Sequence, residues 1–115
     1  MTAPTRSAVR DVLLAAGERM TTTRCSAHEA ITHVTDDPKL RHLAARAWAK
    51  EGGEFGIRFA LAARQVMQLT QAEWDTEQRR WRAYVERLIR KERKSHAALI
   101  AMYEAWLADT GDDHE

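Results

Sequence analysis

The spacing of apolar residues predicts helices from one end of the chain to the other. Val9, Val12, Leu13 and Ala16 recur at intervals of three and four residues, which places them on one face of a helix. Similar stripes follow in four later segments, and no stretch alternates between apolar and polar residues as a half-buried strand would. The pattern therefore predicts an all-α fold, a small helical bundle of about five helices at residues 7–20, 26–35, 38–51, 55–69 and 71–108.

Helix start and stop signals fall at the edges of these segments. Two pairs have capping-box spacing, in which a Ser or Thr is followed three residues later by Glu: Ser26 with Glu29 and Thr70 with Glu73. Ser7 is expected to cap the first helix. Asp37 is expected to cap the third helix, since Pro38 suits a first helical position, where no N–H is needed. Gly52-Gly53 is expected to end that helix.

The fourth segment is apolar on several faces. Its stripe consists of Phe55, Phe59, Ala62, Val66 and Leu69. The other faces add Ile57, Leu61 and Met67, and the only cations are Arg58 and Arg64. Because a helix that is apolar on most sides is usually buried, this segment is expected to be the central element of the fold.

The last segment contains no Pro or Gly from Gln71 until Gly111. On a helical wheel, one group of apolar residues falls within about 60° of Trp74: Trp81, Val85, Leu88, Ile89, Leu99, Tyr103, Trp106 and Leu107. This phase is the same before and after the charged run 89–96, which favours one continuous helix over a two-helix hairpin. A bend near residues 91–95 stays open as an alternative.

The length of such a helix has a consequence for partners. A helix over residues 71–108 would span about 57 Å, whereas a globule of this size is only about 35 Å across. One end would then project unless the helix bends, and a projecting aromatic stripe requires a partner. The partner is expected to be another protein or a second copy of the chain, which makes a homo-oligomer an open alternative. The interface candidates are Trp81, Leu88, Leu99, Tyr103 and Trp106.

The charges of the last segment allow a different function. Residues 77–94 carry eight cations on the side of the helix opposite the apolar stripe: Arg79, Arg80, Arg82, Arg87, Arg90, Lys91, Arg93 and Lys94. Such a face could neutralise phosphates of DNA or RNA. The favoured interpretation is a solvated helix face with internal ion pairs such as Glu86–Arg90.

Two polar residues, Glu92 and His96, interrupt the apolar stripe one turn apart. They could form a buried hydrogen-bonded pair that fixes register or responds to pH. The favoured alternative is that the helix leaves the core at this point and both side chains are hydrated.

Composition limits the remaining classes of protein. With 115 residues, the chain is long enough for one domain, expected over residues 1–108, and the acidic residues 109–115 are expected to form a disordered tail. The net charge of +1 gives no overall attraction to nucleic acid or acidic membranes. No apolar run approaches the length of a membrane span, so no membrane partner is expected.

The residues that could carry chemistry do not form a recognisable site. Cys25 is the only cysteine, which fits a reducing compartment and a cytoplasmic location. His28 and His33 lie about 140° apart round a helix and do not converge with Cys25 on a zinc ion. No phosphate-binding glycine loop, metalloprotease motif or nucleophile elbow is present. We therefore expect no catalytic residues, no metal and no cofactor.

The sequence thus favours a small non-enzymatic helical binding protein that acts through protein–protein contact. Accessory, regulatory and inhibitor proteins, including those of phages and mobile elements, are often of this size. The alternative is a nucleic-acid-binding module that uses the Arg- and Lys-rich face of the last helix. A catalytic subunit whose site is not visible in one sequence is a third, weaker hypothesis.

Overall fold

A computed structural model of the protein describes residues 4–51, 57–92 and 96–110. Within these ranges the chain forms helices and no strands, which confirms the all-α prediction. The helices are α1 (Arg6–Thr22), α2 (Ala27–Val34), α3 (Pro38–Lys50), α4 (Ile57–Met67), α5 (Gln71–Glu92) and α6 (Ala97–Thr110). The count is six where about five were predicted, because the last predicted segment consists of two helices. The chain divides into two compact units, of which one comprises Pro4–Trp74 and the other begins at Asp75.

The predicted capping signals operate at three helix starts. The Ser26 hydroxyl accepts from the Glu29 N–H at 3.1 Å, and the Glu29 carboxylate accepts from the Ser26 N–H at 2.9 Å. Thr70 and Glu73 repeat this reciprocal pair ahead of α5, at 3.1 and 2.8 Å. Asp37 accepts from two N–H groups in the first turn of α3. Each of these pairs satisfies backbone donors that have no partner inside a helix.

The first helix begins differently from the prediction. Thr5, not Ser7, is its N-cap: the Thr5 backbone is extended, and its hydroxyl accepts from the Ala8 N–H at 3.1 Å. Ser7 therefore lies inside the first turn, because the helix already begins after Thr5, whose hydroxyl accepts the Ala8 N–H.

The C-cap of α3 is Glu51. The predicted stop at Gly52-Gly53 and the stripe residue Phe55 lie outside the described residues.

The core of the first unit lies where α1 packs against α2, α3 and α4. Its buried members are Val9, Val12, Leu13, Ala16, Ala27, Ala30, Ile31, Leu43, Ala44, Phe59, Ala62, Ala63, Val66 and Trp74. In α4 one face is buried as predicted, but Leu61 and Met67 are exposed. This helix is therefore amphipathic, and the expectation that it is mostly buried holds only for its inner face.

An arginine that the sequence pattern does not single out fixes the turn between α2 and α3. The Arg41 guanidinium donates to the carbonyl oxygens of Thr35 at 2.6 Å and Thr32 at 3.0 Å. It also reaches the Asp36 carboxylate at 3.3 Å. Because the last carbonyls of a helix have no partner inside it, a cation in this position stabilises the C-terminal end of α2.

The second unit reverses the direction of the chain, so the expected continuous helix is wrong. The ring centroids of Trp81 in α5 and Trp106 in α6 lie 5.8 Å apart. In a straight helix 25 residues would separate them by about 37 Å. The helices α5 and α6 therefore form a hairpin, with α5 ending at Glu92 and α6 beginning at Ala97. The two-helix hairpin, which the sequence disfavoured, is therefore the structure observed, and residues 93–95 of the expected bend lie outside the described residues.

Candidate interaction surface on the C-terminal hairpin

The register of the hairpin follows from its aromatic contact. If Trp81 lies level with Trp106 and the helices are antiparallel, then Tyr84 is level with Tyr103 and Leu88 with Leu99. The rise of 1.5 Å per residue supports this pairing. Residues 81–92 advance about 17 Å toward the turn, and residues 97–106 return about 14 Å. Trp81 and Trp106 of the predicted apolar stripe thus meet across the hairpin, and do not lie in a line along one long helix.

An aromatic cluster joins the two helices. Trp81 stacks on Trp106 and lies 6.0 Å from Tyr84, and Tyr103 lies 5.3 Å from Trp106, as measured between ring centroids. Trp81 is only 2% exposed, while the other three rings are half-buried. Aromatic pairs at these distances contribute about 0.5–1.5 kcal/mol beyond the burial of their area. The cluster therefore holds α6 against α5.

Of the five predicted interface candidates, Trp81 is the one whose side chain is buried within its own chain. The other four, Leu88, Leu99, Tyr103 and Trp106, are half-buried. Of these five, Trp81 and Tyr103 each contact Trp106. The remaining surface of the four half-buried residues is open to solvent.

The outer face of α6 was not predicted as a candidate, although it is the most exposed apolar face of the hairpin. Met102 is 39% exposed, and four alanines on the same side are also exposed: Ala98, Ala101, Ala105 and Ala108. Between Ala97 and Ala108 the only charged residue is Glu104. No described side chain of α6 falls in the buried class. An apolar helix of this kind is expected to be buried, yet α6 presents one whole side to solvent.

Sequence reasoning missed this face for a definite reason. The helical wheel of the continuous segment was centred on Trp74, so Met102 and the alanines fell outside the stripe. The signal that could have found them is the composition of α6 itself, which has almost no polar face.

The basic face of α5 is exposed. Six of the eight predicted cations, Arg79, Arg80, Arg82, Arg87, Arg90 and Lys91, are exposed to solvent, and Arg93 and Lys94 lie outside the described residues. Arg80 lies 3.7 Å from Glu77, and Arg82 lies 3.7 Å from Glu86. Glu86 thus pairs with Arg82 and not with Arg90 as expected. Within the described part of the chain, Arg87, Arg90 and Lys91 make no ion pair.

Glu92 and His96 mark the turn of the hairpin. The Nδ1 atom of His96 lies 2.6 Å from Oε2 of Glu92, and the His96 N–H donates to the Glu92 carbonyl at 3.1 Å. The His96 side chain is 59% exposed and that of Glu92 is 19% exposed. The hydrogen-bonded pair of the first hypothesis therefore forms, but the His96 side chain is hydrated, as the favoured alternative expected. The interruption of the apolar stripe is the place where the chain turns.

The pKa values of two carboxylates at helix caps are lowered. Hydrogen bonds from Ser26 lower the pKa of Glu29, and hydrogen bonds from Thr70 lower the pKa of Glu73. In both cases backbone and hydroxyl donors stabilise the carboxylate form. These shifts are explained by the capping boxes.

The described residues hold no group of three or more His, Cys, Asp or Glu side chains that could bind a metal ion. Cys25 is partly buried and packs against the core of the first unit. Among the described helices none is both long enough and apolar enough to cross a bilayer.

Comparisons with protein-family models, with curated proteins and with solved structures found no match for this chain.

Proposed function

We propose that this chain is a small non-enzymatic helical binding protein that acts through protein–protein contact, and that the outer face of α6 is its contact surface. The half-buried residues Leu88, Leu99, Tyr103 and Trp106 would border that surface, and buried Trp81 would support it.

The observation that carries the proposal is the contrast between the composition of α6 and its burial. Twelve residues, Ala97–Ala108, include one charge, yet none of their side chains is buried. Apolar surface of this kind is stabilised when it leaves water, by about 25 cal/mol for each Å². Contiguous apolar patches on monomeric proteins are usually sites of interaction.

Two exposed methionines make a matched test. Met102 on α6 is 39% exposed and Met67 on α4 is 41% exposed, so replacing either by Gln removes a similar apolar area. We expect Met102→Gln to weaken capture of the partner by about tenfold, and Met67→Gln to leave capture unchanged. The wild type and both variants would be immobilised and compared on a lysate of the native host, together with solution mass as a function of concentration. Equal behaviour of all three proteins would contradict the proposal.

A second candidate function rests on the exposed cations Arg87, Arg90 and Lys91, which lack ion-pair partners within the described ranges. Such cations could bind phosphates of DNA or RNA by releasing counterions. Binding to a nucleic-acid duplex that weakens steeply with salt, and is lost in Arg87→Glu/Arg90→Glu, would support this alternative. Binding that is insensitive to both would exclude it.

A further inference from the structure

The outward side of α5 carries a dense group of cations. Residues 79–91 contain five arginines and Lys91 against one carboxylate, Glu86, a net +5. All seven of these residues are exposed. Glu86 pairs with Arg82 at 3.7 Å, and Arg80 lies 3.7 Å from Glu77. Most of the positive charge on this side of the helix is therefore not neutralised within the described part of the chain.

Five of these cations form two rows along α5. Measured round the helix from buried Val85, one row lies at about 120–140° and the other at about 200–240°. Ala83 is exposed between them, at about 160°. From residue 79 to residue 91 the rows run for about 18 Å. We call these five residues the cationic strip: Arg79 and Arg90 in the first row, and Arg80, Arg87 and Lys91 in the second.

The cationic strip faces away from α6. Trp81 stacks on Trp106 of α6, and it lies about 140° round α5 from the centre of the strip. A ligand on the strip therefore does not compete with the packing of α6 against α5. It also leaves the outer face of α6 free, so the two surfaces can be tested separately.

The dimensions of the cationic strip match the major groove of B-form DNA. That groove is about 12 Å wide and about 8.5 Å deep, and an α-helix with its side chains has a diameter of about 10–12 Å. The two rows lie about 90° apart round the helix. A helix in the groove with Ala83 toward the floor therefore directs one row to each phosphate wall. At about 3.4 Å per phosphate of one strand, the strip spans about five base pairs.

We propose that the cationic strip binds duplex DNA, with the outward side of α5 in the major groove and its two rows on the phosphates of the two strands. The proposal rests on the second candidate function, which it deepens, and it is independent of the surface proposed on α6. Four of the five cations are arginines, whose planar guanidinium groups donate in pairs to phosphate oxygens.

The composition of the cationic strip predicts which nucleic acids bind. Phosphate contacts fix position but carry no sequence information, and Ala83, the side chain placed at the groove floor, has no donor or acceptor for a base edge. Duplex DNAs of unrelated sequence are therefore expected to bind alike. Duplex RNA is expected to bind more weakly, because the major groove of the A-form is deep and narrow and does not admit the helix.

The first test is fluorescence anisotropy of short labelled duplex DNAs, titrated with the full chain over a range of salt concentrations. Five neutralised phosphates give a slope of about −4 to −5 for log K against log salt. Arg87→Gln/Arg90→Gln removes one cation from each row and is expected to raise the dissociation constant about tenfold and to reduce the slope by about 2. The matched control is Arg24→Gln/Arg64→Gln, which removes the same net charge from exposed positions of the first unit and is expected to bind like the wild type.

The second test adds bulk to the cationic strip without changing its charge. Ala83→Leu is expected to weaken binding of duplex DNA about threefold or more, since the larger side chain holds α5 away from the groove floor. Ala60→Leu, at an exposed position of α4, is the control and is expected to have no effect. Circular dichroism would verify that every variant keeps its helical content.

Each contrary outcome overturns the proposal in a recognisable way. No binding of duplex DNA at low salt, or an equal loss in the Arg24→Gln/Arg64→Gln control, shows that the strip is not a DNA site. Equal affinity for duplex RNA, or an unaffected Ala83→Leu variant, excludes the major groove. Binding of vesicles with anionic phospholipids in place of DNA assigns the strip to a membrane surface.

The same variants separate this proposal from the proposed function. Met102→Gln is expected to weaken capture of the protein partner and to bind DNA like the wild type. Arg87→Gln/Arg90→Gln is expected to lose DNA and to keep the partner. Loss of DNA binding in Met102→Gln would contradict the independence of the two surfaces, whereas a chain that captures no partner still tests the cationic strip in full.

Discussion

At the scale of single residues, the contact between Glu92 and His96 shows how a polar pair can form without being buried. The two side chains lie 2.6 Å apart, but 59% of the histidine side chain is exposed. An exposed pair contributes little to stability, since water competes for both partners. We therefore expect His96→Ala to lower the free energy of unfolding by less than about 1 kcal/mol.

Urea unfolding followed by circular dichroism would measure this change. Glu92→Gln removes the charge from the other side of the pair and is expected to have an effect of similar size. A loss of more than about 2 kcal/mol for His96→Ala would indicate that the pair is buried in solution.

The two capping boxes predict how stability depends on pH. Their hydrogen bonds lower the pKa values of Glu29 and Glu73 from the ordinary glutamate value of 4.5. Unfolded glutamate therefore binds protons at a pH where the folded carboxylates are still ionised. The stabilisation is complete above the ordinary value and is lost as the pH falls through the lowered pKa values of the folded state.

We expect Glu29→Gln/Glu73→Gln to reduce this acid-induced loss of stability. Glutamine at the same position can still accept the hydrogen bond of the capping box but does not titrate. Glu18→Gln, which removes an exposed carboxylate from α1, is the control. Urea midpoints measured from pH 6 to pH 3 should fall less steeply in the double variant than in the control. Parallel curves would show that the caps do not contribute to the acid response.

Residues whose role depends only on neighbours in sequence were predictable. Ser26 with Glu29, and Asp37 with Pro38, work as the spacing indicated, because the capping groups and their targets are three residues apart or fewer. Arg41 was not predictable, since its acceptors lie six and nine residues away along the chain. Met102 was missed because its exposure depends on which side of α6 faces α5.

At the scale of elements, the hairpin is where sequence reasoning failed. The apolar residues before and after residues 89–96 fall on the same side of one helical wheel, which suggested one helix. Two helices that pack against each other also have one apolar side each. The periodicity therefore cannot distinguish them, and no Pro or Gly marks the turn. What could be predicted was the location of the break: Glu92 and His96 interrupt the stripe, and the chain reverses there.

The stacked tryptophans give a test of the hairpin. Trp81 is buried, so Trp81→Ala is expected to lower the free energy of unfolding by about 3–5 kcal/mol. Trp106 is half-buried, and Trp106→Ala is expected to cost less, about 1–2 kcal/mol. Because the two rings stack at 5.8 Å, the double variant should be less destabilised than the sum of the two changes.

Urea unfolding of the wild type, both single variants and the double variant would complete this cycle. Trp48→Ala, which removes a ring that packs on Phe59 in the first unit, is the control for the loss of an indole ring outside the hairpin. An additive result for Trp81 and Trp106 would argue for a continuous helix in solution.

At the scale of the whole molecule, the core is concentrated in one part of the chain. The buried apolar cluster formed by α1 to α4 ends with Trp74, in the first turn of α5. The hairpin contributes its own buried residues, among them Trp81 and Val85, and leaves α6 largely exposed. The first unit thus has the packing expected of a folded domain, whereas the second carries the surface proposed for contact with a partner.

This distribution predicts that the first unit folds without the hairpin. A fragment of residues 1–78 keeps α1 to α4 and the capping box at Thr70, and therefore retains the whole apolar cluster. We expect it to be helical and to unfold cooperatively, with a lower midpoint than the full chain, because a core of this size is only marginally sufficient. The fragment lacks α6, so it should also fail to capture the partner.

Thermal unfolding followed by circular dichroism, together with the dispersion of amide resonances, would test the fragment. A truncation at residue 66 is the control, since it removes Trp74 and the capping box and should unfold at a lower temperature. A broad transition with poorly dispersed resonances in the 1–78 fragment would mean that the core depends on residues beyond α5's first turns. A well-folded fragment that still captured the partner would instead move the contact surface from α6 to the first unit.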